Sequence, residues 1–287
     1  MKTIAVLTDF STASEHAAKY AAHLAQKIKA NILLYATSMV PVEVAAGPQS
    51  PWPDETDIHA LTDTECRLAD MAARLHDELK ERTFPGTFLP MIDFRAEPGL
   101  TAIPAFGPEE HIGLLVQAAD SDEYTGRGIA NSWLGVSGSA DIPVLIIPEH
   151  APIRNVEKFA FATDTSYSDI ANINALAGLA KFSTAEILVA DVTQNNFLDN
   201  ERETAIKRFK EGIITDVDYS RVYYRIVPNT NIKNGLQWLV ENIRFDMLAI
   251  VRRKCDNVDS VFNLDRVQSM AVQTSVPLLI YPYRAES

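Results

Sequence analysis

The sequence predicts an α/β protein of two tandem domains, each a doubly wound, five-stranded parallel sheet. Three observations carry that prediction. The length of 287 residues suits two domains of about 140 each; an internal repeat runs through the chain; and within each repeat short apolar runs alternate with stretches of helical spacing. The repeat is plainest where Thr8-Asp9-Phe10-Ser11 returns as Thr163-Asp164-Thr165-Ser166. That shift of 155 residues holds without a gap through Leu24-Ala25 and Leu179-Ala180, and on through Ala30, Ile32 and Leu33 to match Ala185, Ile187 and Leu188. The closing segments also match, PVLIIP from Pro143 to Pro148 against PLLIYP from Pro277 to Pro282, now 134 residues apart. The second copy is therefore shorter in its middle by about 20 residues.

Each half opens on an apolar run, Ile4 to Leu7 and Phe159 to Ala162. A capping-box spacing follows, Thr12-x-x-Glu15 and Ser166-x-x-Asp169, in which the side chains can satisfy the orphan amides of a helix start. Ala17, Ala21, Leu24, Ala25 and Ile28 then recur every three or four residues, as do Leu176, Leu179 and Ala180, so one apolar helix face is expected in each half. Second strands are expected at Ile32 to Tyr35 and Ile187 to Ala190. A charged helix from about Leu61 to Arg82 precedes a third strand at Phe88 to Phe94, and Glu203 to Gly212 precedes Val222 to Val227. The remaining runs are Ile112 to Val116 and Val144 to Ile147 in the first half, and Met247 to Val251 and Leu278 to Tyr281 in the second. Continuous apolar strands separated by helices indicate a parallel sheet covered on both faces, since parallel strands need crossovers and the crossovers supply the cover.

Two segments depart from that alternation. Val40 to Asp57 is rich in proline and acidic residues and reads as a surface loop inserted after the second strand, dispensable for folding, with Trp52 as its one anchor. Pro98, Pro104 and Pro108 leave little room for a regular third helix in the first half. The polar, aperiodic stretch Glu149 to Asn155 reads as a linker, which sets the domains at 1–150 and 151–287.

Composition narrows the function classes. A net charge of −12 opposes nucleic acid and anionic membranes as general partners, because phosphate surfaces attract Lys and Arg. No window approaches the ~20 apolar residues of a membrane span, and Asp9 interrupts the opening apolar run before a signal-peptide core develops, so a cytoplasmic location is expected. Cys66 and Cys255 stand one in each half with no CxxC or Cys/His cluster, and His16 and His23 have no third ligand nearby, so no metal is expected.

The opening runs ending in Thr8-Asp9-Phe10-Ser11 and Thr163-Asp164-Thr165-Ser166, the Ala-rich first helices and the closing PVLIIP and PLLIYP resemble the universal stress protein family, once per half. The resemblance implies a sheet of order 3-2-1-4-5, an adenine-nucleotide alpha hydrolase-like fold, with a ligand cleft where the order reverses between the first and fourth strands. It also implies a phosphate loop after the fourth strand, G-x2-G-x9-G-[ST], whose glycines let backbone amides approach the phosphates. This chain lacks that spacing twice. The first half has Gly126 and Gly128 two apart, Ala130 and Asn131 where the family's Gly-Ser would stand, with Asn131-Ser132 able to cap a helix there, and Asp120, Asp122 and Glu123 in the phosphate region. The second half has no glycine after Gly235 and carries Arg252, Arg253 and Lys254 beyond its fourth strand, a cluster able to hold a small anion. Thr8, Asp9, Thr163 and Asp164 stand where nucleotide-binding relatives contact the nucleoside, and the same residues can instead brace the strand-to-helix turn.

The expectation is a non-catalytic stress-response protein that binds a small ligand or an as yet unidentified protein partner, with no cofactor and with ATP disfavoured. The alternative is an ATP-binding stress protein with slow hydrolysis or autophosphorylation. An enzyme of the wider superfamily is not expected, since no HIGH-type, SGGxDS-type or GK[ST] signature and no nucleophile cluster is present. Family members pair through the last strand, so the resemblance implies antiparallel pairing of Val144–Ile147 with Leu278–Tyr281, an internal pseudo-dimer that leaves room for a further homodimer.

Overall fold

The opening run Thr3–Leu7 is strand β1 of a computed structural model that describes residues 2–38, 55–98, 111–119, 142–193, 200–228, 232–252 and 275–282. The chain divides into two units, Met1–Ala140 and Asp141–Ser287. In the first, helix α1 (Thr12–Ile28) leads to β2 (Asn31–Ser38), helix α2 (Glu55–Glu81) to β3 (Ile92–Pro98), and β4 is Ile112–Ala118. These strands lie parallel in the order β3-β2-β1-β4. Ile4, Ala5, Val6 and Leu7 are all buried, as a strand covered on both faces requires. The face that α1 turns inward carries Ala17, Ala18, Ala21, Ala22 and Ala25, side chains small enough for the helix to lie close on β1, β2 and β4.

The second unit opens with β5 (Val144–Ile147) and continues through β6 (Lys158–Thr163), α3 (Asp169–Ser183), β7 (Glu186–Thr193), α4 (Asn200–Asp216), β8 (Val222–Pro228), α5 (Ile232–Asn242), β9 (Met247–Arg252) and β10 (Leu278–Pro282). Its parallel strands run β8-β7-β6-β9-β10, which is the complete 3-2-1-4-5 order. On the far edge of β10 lies β5, antiparallel, with Leu278 opposite Ile146, Leu279 opposite Leu145 and Ile280 opposite Val144. The antiparallel pairing that the closing motifs imply is therefore present, and it covers an apolar edge of β10. At the opposite, amino end of the strands Asp246 accepts hydrogen bonds from the amides of Glu157 (2.8 Å) and Lys158 (3.0 Å) and from Arg154 (2.6 Å), fixing the entry to β6. No described helix is long and apolar enough to cross a membrane.

Several boundaries differ from the sequence reading. Helix α2 begins at Glu55, inside the segment read as loop, because acidic residues favour the first turn of a helix and do not end it. The third strand is Ile92–Pro98, not Phe88 to Phe94. Thr87 instead donates its amide to the carbonyl of Phe84 in a turn around Gly86, whose φ of 89° suits glycine alone. Helix α5 has no counterpart in the sequence reading, although Leu236 and Leu239 form a buried i,i+3 pair. Residues 39–54, with Trp52, and the prolines at 104 and 108 lie outside the described residues.

Candidate ligand-binding site

Doubly wound sheets bind ligands where neighbouring strands part at their carboxyl ends. The ladder between β1 and β4 ends at Val6 and Val116, while the strands continue to Leu7 and Ala118. Likewise β6 and β9 pair only as far as Phe161 and Ala249, then run on to Thr163 and Arg252. The two Thr-Asp pairs therefore stand at the openings that the strand order creates.

In the first unit the turn is organised by a relay of hydroxyl groups. The amide of Phe10 donates to Thr8 Oγ1 at 3.0 Å, and Ser14 Oγ donates to the carbonyl of Ser11 at 3.0 Å. A hydroxyl has one proton, so the 2.9 Å contact between Thr8 Oγ1 and Ser14 Oγ must take its hydrogen from Thr8. Asp9 Oδ1 accepts the amide of Ser11 at 2.9 Å. Burial pushes the Asp9 carboxyl up, but the hydrogen bonds it collects at the turn, those of Ser11 foremost, together outweigh it and hold the group below the usual aspartate range. The helix cap is Ser11, whose Oγ accepts from the amide of Ser14 at 3.2 Å, and not Thr12 as the capping-box spacing suggested. The chain reaches this cap through Phe10 at φ 64°, which places the turn one residue earlier.

The second unit builds the same turn from different groups. The amide of Thr165 donates to Thr163 Oγ1 at 2.9 Å, and that hydroxyl donates to Asp169 Oδ2 at 2.7 Å. Asp164 Oδ1 accepts the amide of Ser166 at 3.1 Å. Thr165 has φ 67°, matching Phe10. A left-handed residue other than glycine costs roughly 1 to 2 kcal/mol, so the threonine hydroxyls that accept these amides offset real strain. Because Asp169 turns back to Thr163, it does not complete a box with Ser166; the residue before the helix is Ser168, which makes no side-chain cap bond.

Arg252 ends β9 and is partly exposed, opposite Pro282 of β10. Gly126, Gly128, Asn131, Ser132, Arg253 and Lys254 lie outside the described residues, as do Asp120, Asp122 and Glu123.

Sequence reasoning missed the most buried charge at this end of the sheet. Asp191, in β7, is 0% exposed and opposite Thr163 in register. Its carboxylate accepts Tyr224 Oη at 2.9 Å and Arg202 Nη2 at 3.2 and 3.3 Å. Burial raises its pKa, only partly countered by Tyr224 and Arg202, and the charge of Asp164 adds to the rise. Burial and Asp191 likewise push the Tyr224 phenol far up, so it serves as a donor. The signal was an aspartate inside the apolar run EILVADVT, where a buried charge demands a partner.

No family model and no curated protein sequence matches the chain. Solved structures do. A universal stress protein from Archaeoglobus fulgidus superposes with a TM-score of 0.65 at 16% identity, covering 99% of this chain and 97% of that one. A functionally unknown protein from Pseudomonas aeruginosa gives 0.57 at 13% identity, with 98% and 92% covered. The cytoplasmic domain of a prokaryotic cation chloride cotransporter gives 0.53 at 8% identity, with 97% and 94% covered. With the 3-2-1-4-5 strand order and the threonine-braced turns in place, this chain has the fold of the universal stress proteins.

Proposed function

We propose that the chain is a tandem universal stress protein of the non-catalytic, cytoplasmic kind, which binds a small ligand or a protein partner and performs no reaction. The observation that carries this reading is the use made of the Thr-Asp pairs. Thr8 and Thr163 spend their hydroxyls on the strand-to-helix turn, and Asp9 and Asp164 each accept an amide from the same turn. Such bracing accounts for the pairs without a nucleotide. The altered glycine spacing beyond β4, its loss beyond β9 and the acids at 120, 122 and 123 point the same way.

Arg252 supports a finer reading for the second unit, in which a phosphate, sulfate or carboxylate metabolite is held at the carboxyl end of β9 with Arg253 and Lys254. Titration calorimetry at about 100 µM protein tests both parts. ATP should give no binding heat. Inorganic phosphate should give weak heat that Arg252→Ala with Arg253→Ala abolishes while the melting transition is kept. Micromolar ATP binding that survives the double substitution would establish the alternative, a nucleotide-binding protein with slow hydrolysis or autophosphorylation.

A further inference from the structure

Strand β3 ends the order β3-β2-β1-β4 on one side, and no described strand lies beyond it. Its peptide groups divide between two directions. The amide of Ile32 donates to the carbonyl of Met91 at 2.9 Å, and Ile32 stands opposite Ile92. In a parallel ladder every second residue of the outer strand then bonds inward, so Met91, Asp93, Arg95 and Glu97 turn their N–H and C=O groups to β2. Ile92, Phe94 and Ala96 turn theirs away from it, which leaves a template for another strand. Side chains alternate in the same rhythm, with Ile92, Phe94 and Ala96 on one face and Asp93, Arg95 and Glu97 on the other. Phe94 is 44% exposed, Met91 just before the strand is 57% exposed, and Asp93 is exposed as well.

Charges on an edge strand ordinarily keep other strands away. Here their order favours one particular partner. Residues 92–96 read I-D-F-R-A, neutral in a chain of net charge −12, with the acid and the base placed evenly about Phe94. Set antiparallel to itself about Phe94, this strip puts Phe94 opposite Phe94 and Ile92 opposite Ala96 at hydrogen-bonded positions, which uses every outward peptide group of both copies. Asp93 of each copy then falls opposite Arg95 of the other. These are the non-bonded positions, where side chains stand closest and opposite charges attract. A slip of two residues in either direction would set Arg95 against Arg95 or Asp93 against Asp93, so the charges also fix the register.

We infer that β3 is the contact surface for a second copy of this chain, joined edge to edge about a two-fold axis beside Phe94. Arg95 keeps its contact with Glu97, 4.0 Å away on its own strand, because a guanidinium has donors for both carboxylates. The outer edge of the second unit does not offer the same match: β8 carries Arg225 and no acid, so two copies would bring only like charge together. The contact requires no ligand and stands apart from what the chain binds at its strand ends.

Sedimentation velocity of the full chain, from about 1 to about 200 µM protein in about 0.15 M salt, tests the pairing. A strip this short makes a dissociable dimer, so the wild type should pass from monomer to dimer across that range. Asp93→Arg and Arg95→Asp should each weaken self-association at least about tenfold, since each sets like charges opposite one another. Mixed in equal amounts, the two variants should dimerise with each other, because the mixed pair restores opposite signs at both positions. Ala96→Pro removes an outward amide that β2 does not use, and it should abolish dimerisation while the melting temperature stays within about 3 °C. A wild type that is monomeric at about 200 µM, single variants that dimerise as the wild type does, or a mixture that stays monomeric overturns the pairing. Growth beyond the dimer overturns it too, for it would mean that β3 meets a different edge.

Discussion

Asp9 and Asp191, each near the carboxyl ends of its own unit's strands, respond to pH with opposite sign, because one collects hydrogen bonds near the surface and the other is buried. Asp9 has a folded pKa below its unfolded value, so its stabilising contribution is complete above about pH 4 and disappears as pH falls through the depressed value. Asp191 has a raised pKa; its contribution is complete below about pH 4 and is lost as pH rises through the raised value. Unfolding in urea as a function of pH should therefore show wild type losing its advantage over Asp9→Asn on acidification. Relative to Asp191→Asn it should lose stability as pH rises. Thr163 is a sharper test of the braced turn, since it is fully buried and links Thr165 to the equally buried Asp169. Thr163→Val keeps the shape, removes both of these hydrogen bonds, and should cost about 2 kcal/mol, with Thr163→Ser costing less.

At the scale of the element, propensity and packing make opposing forecasts for α4. Gly212 lies inside the helix, where alanine is ordinarily better by about 1 kcal/mol. A Cβ there would meet Tyr167 Cε2 at 2.9 Å and Ile170 Cγ1 at 3.3 Å. Tyr167 is not free to swing, for its hydroxyl donates to Asp216 at 2.8 Å and Arg208 covers its ring at 4.8 Å. Packing should win: Gly212→Ala is expected to lower stability by about 1 kcal/mol, and the same change in a Tyr167→Ala background should raise it. Thermal melts of the four proteins decide the matter.

At the scale of the whole molecule, the arrangement of strands bears on how the chain can be divided. The linker composition suggested a cut near residue 150, yet β5 precedes that point and pairs with β10 within the second unit. A fragment of residues 151–287 would leave the apolar edge of β10 bare, with Leu278, Leu279 and Ile280 beside it, whereas residues 141–287 keep it covered. The shorter fragment should elute as a dimer or aggregate in size-exclusion chromatography and the longer one as a monomer. Identical elution would show that β5 does not protect that edge.

What the sequence determined by itself was the kind of most elements, helix α5 excepted, and the presence of the strand-to-helix turns. Continuous apolar runs as short as Ile4–Leu7 and Met247–Val251 read as covered strands, being too short for helices, and Thr-Asp-x-Ser after each opening run announced a strand-to-helix turn, because such patterns follow from burial along a few consecutive residues. The cap at Ser11, the left-handed Phe10 and Thr165, and the contacts of Asp191 with Arg202 and Tyr224 were not legible there. Asp191, Arg202 and Tyr224 meet only because β6, β7 and β8 lie side by side with α4 packed over them, and Ser14 and Asp169 turn to the threonines only once the helices are seated. Which polar groups satisfy one another is a matter of strand order and helix placement, decided when the core closes and water no longer competes for them.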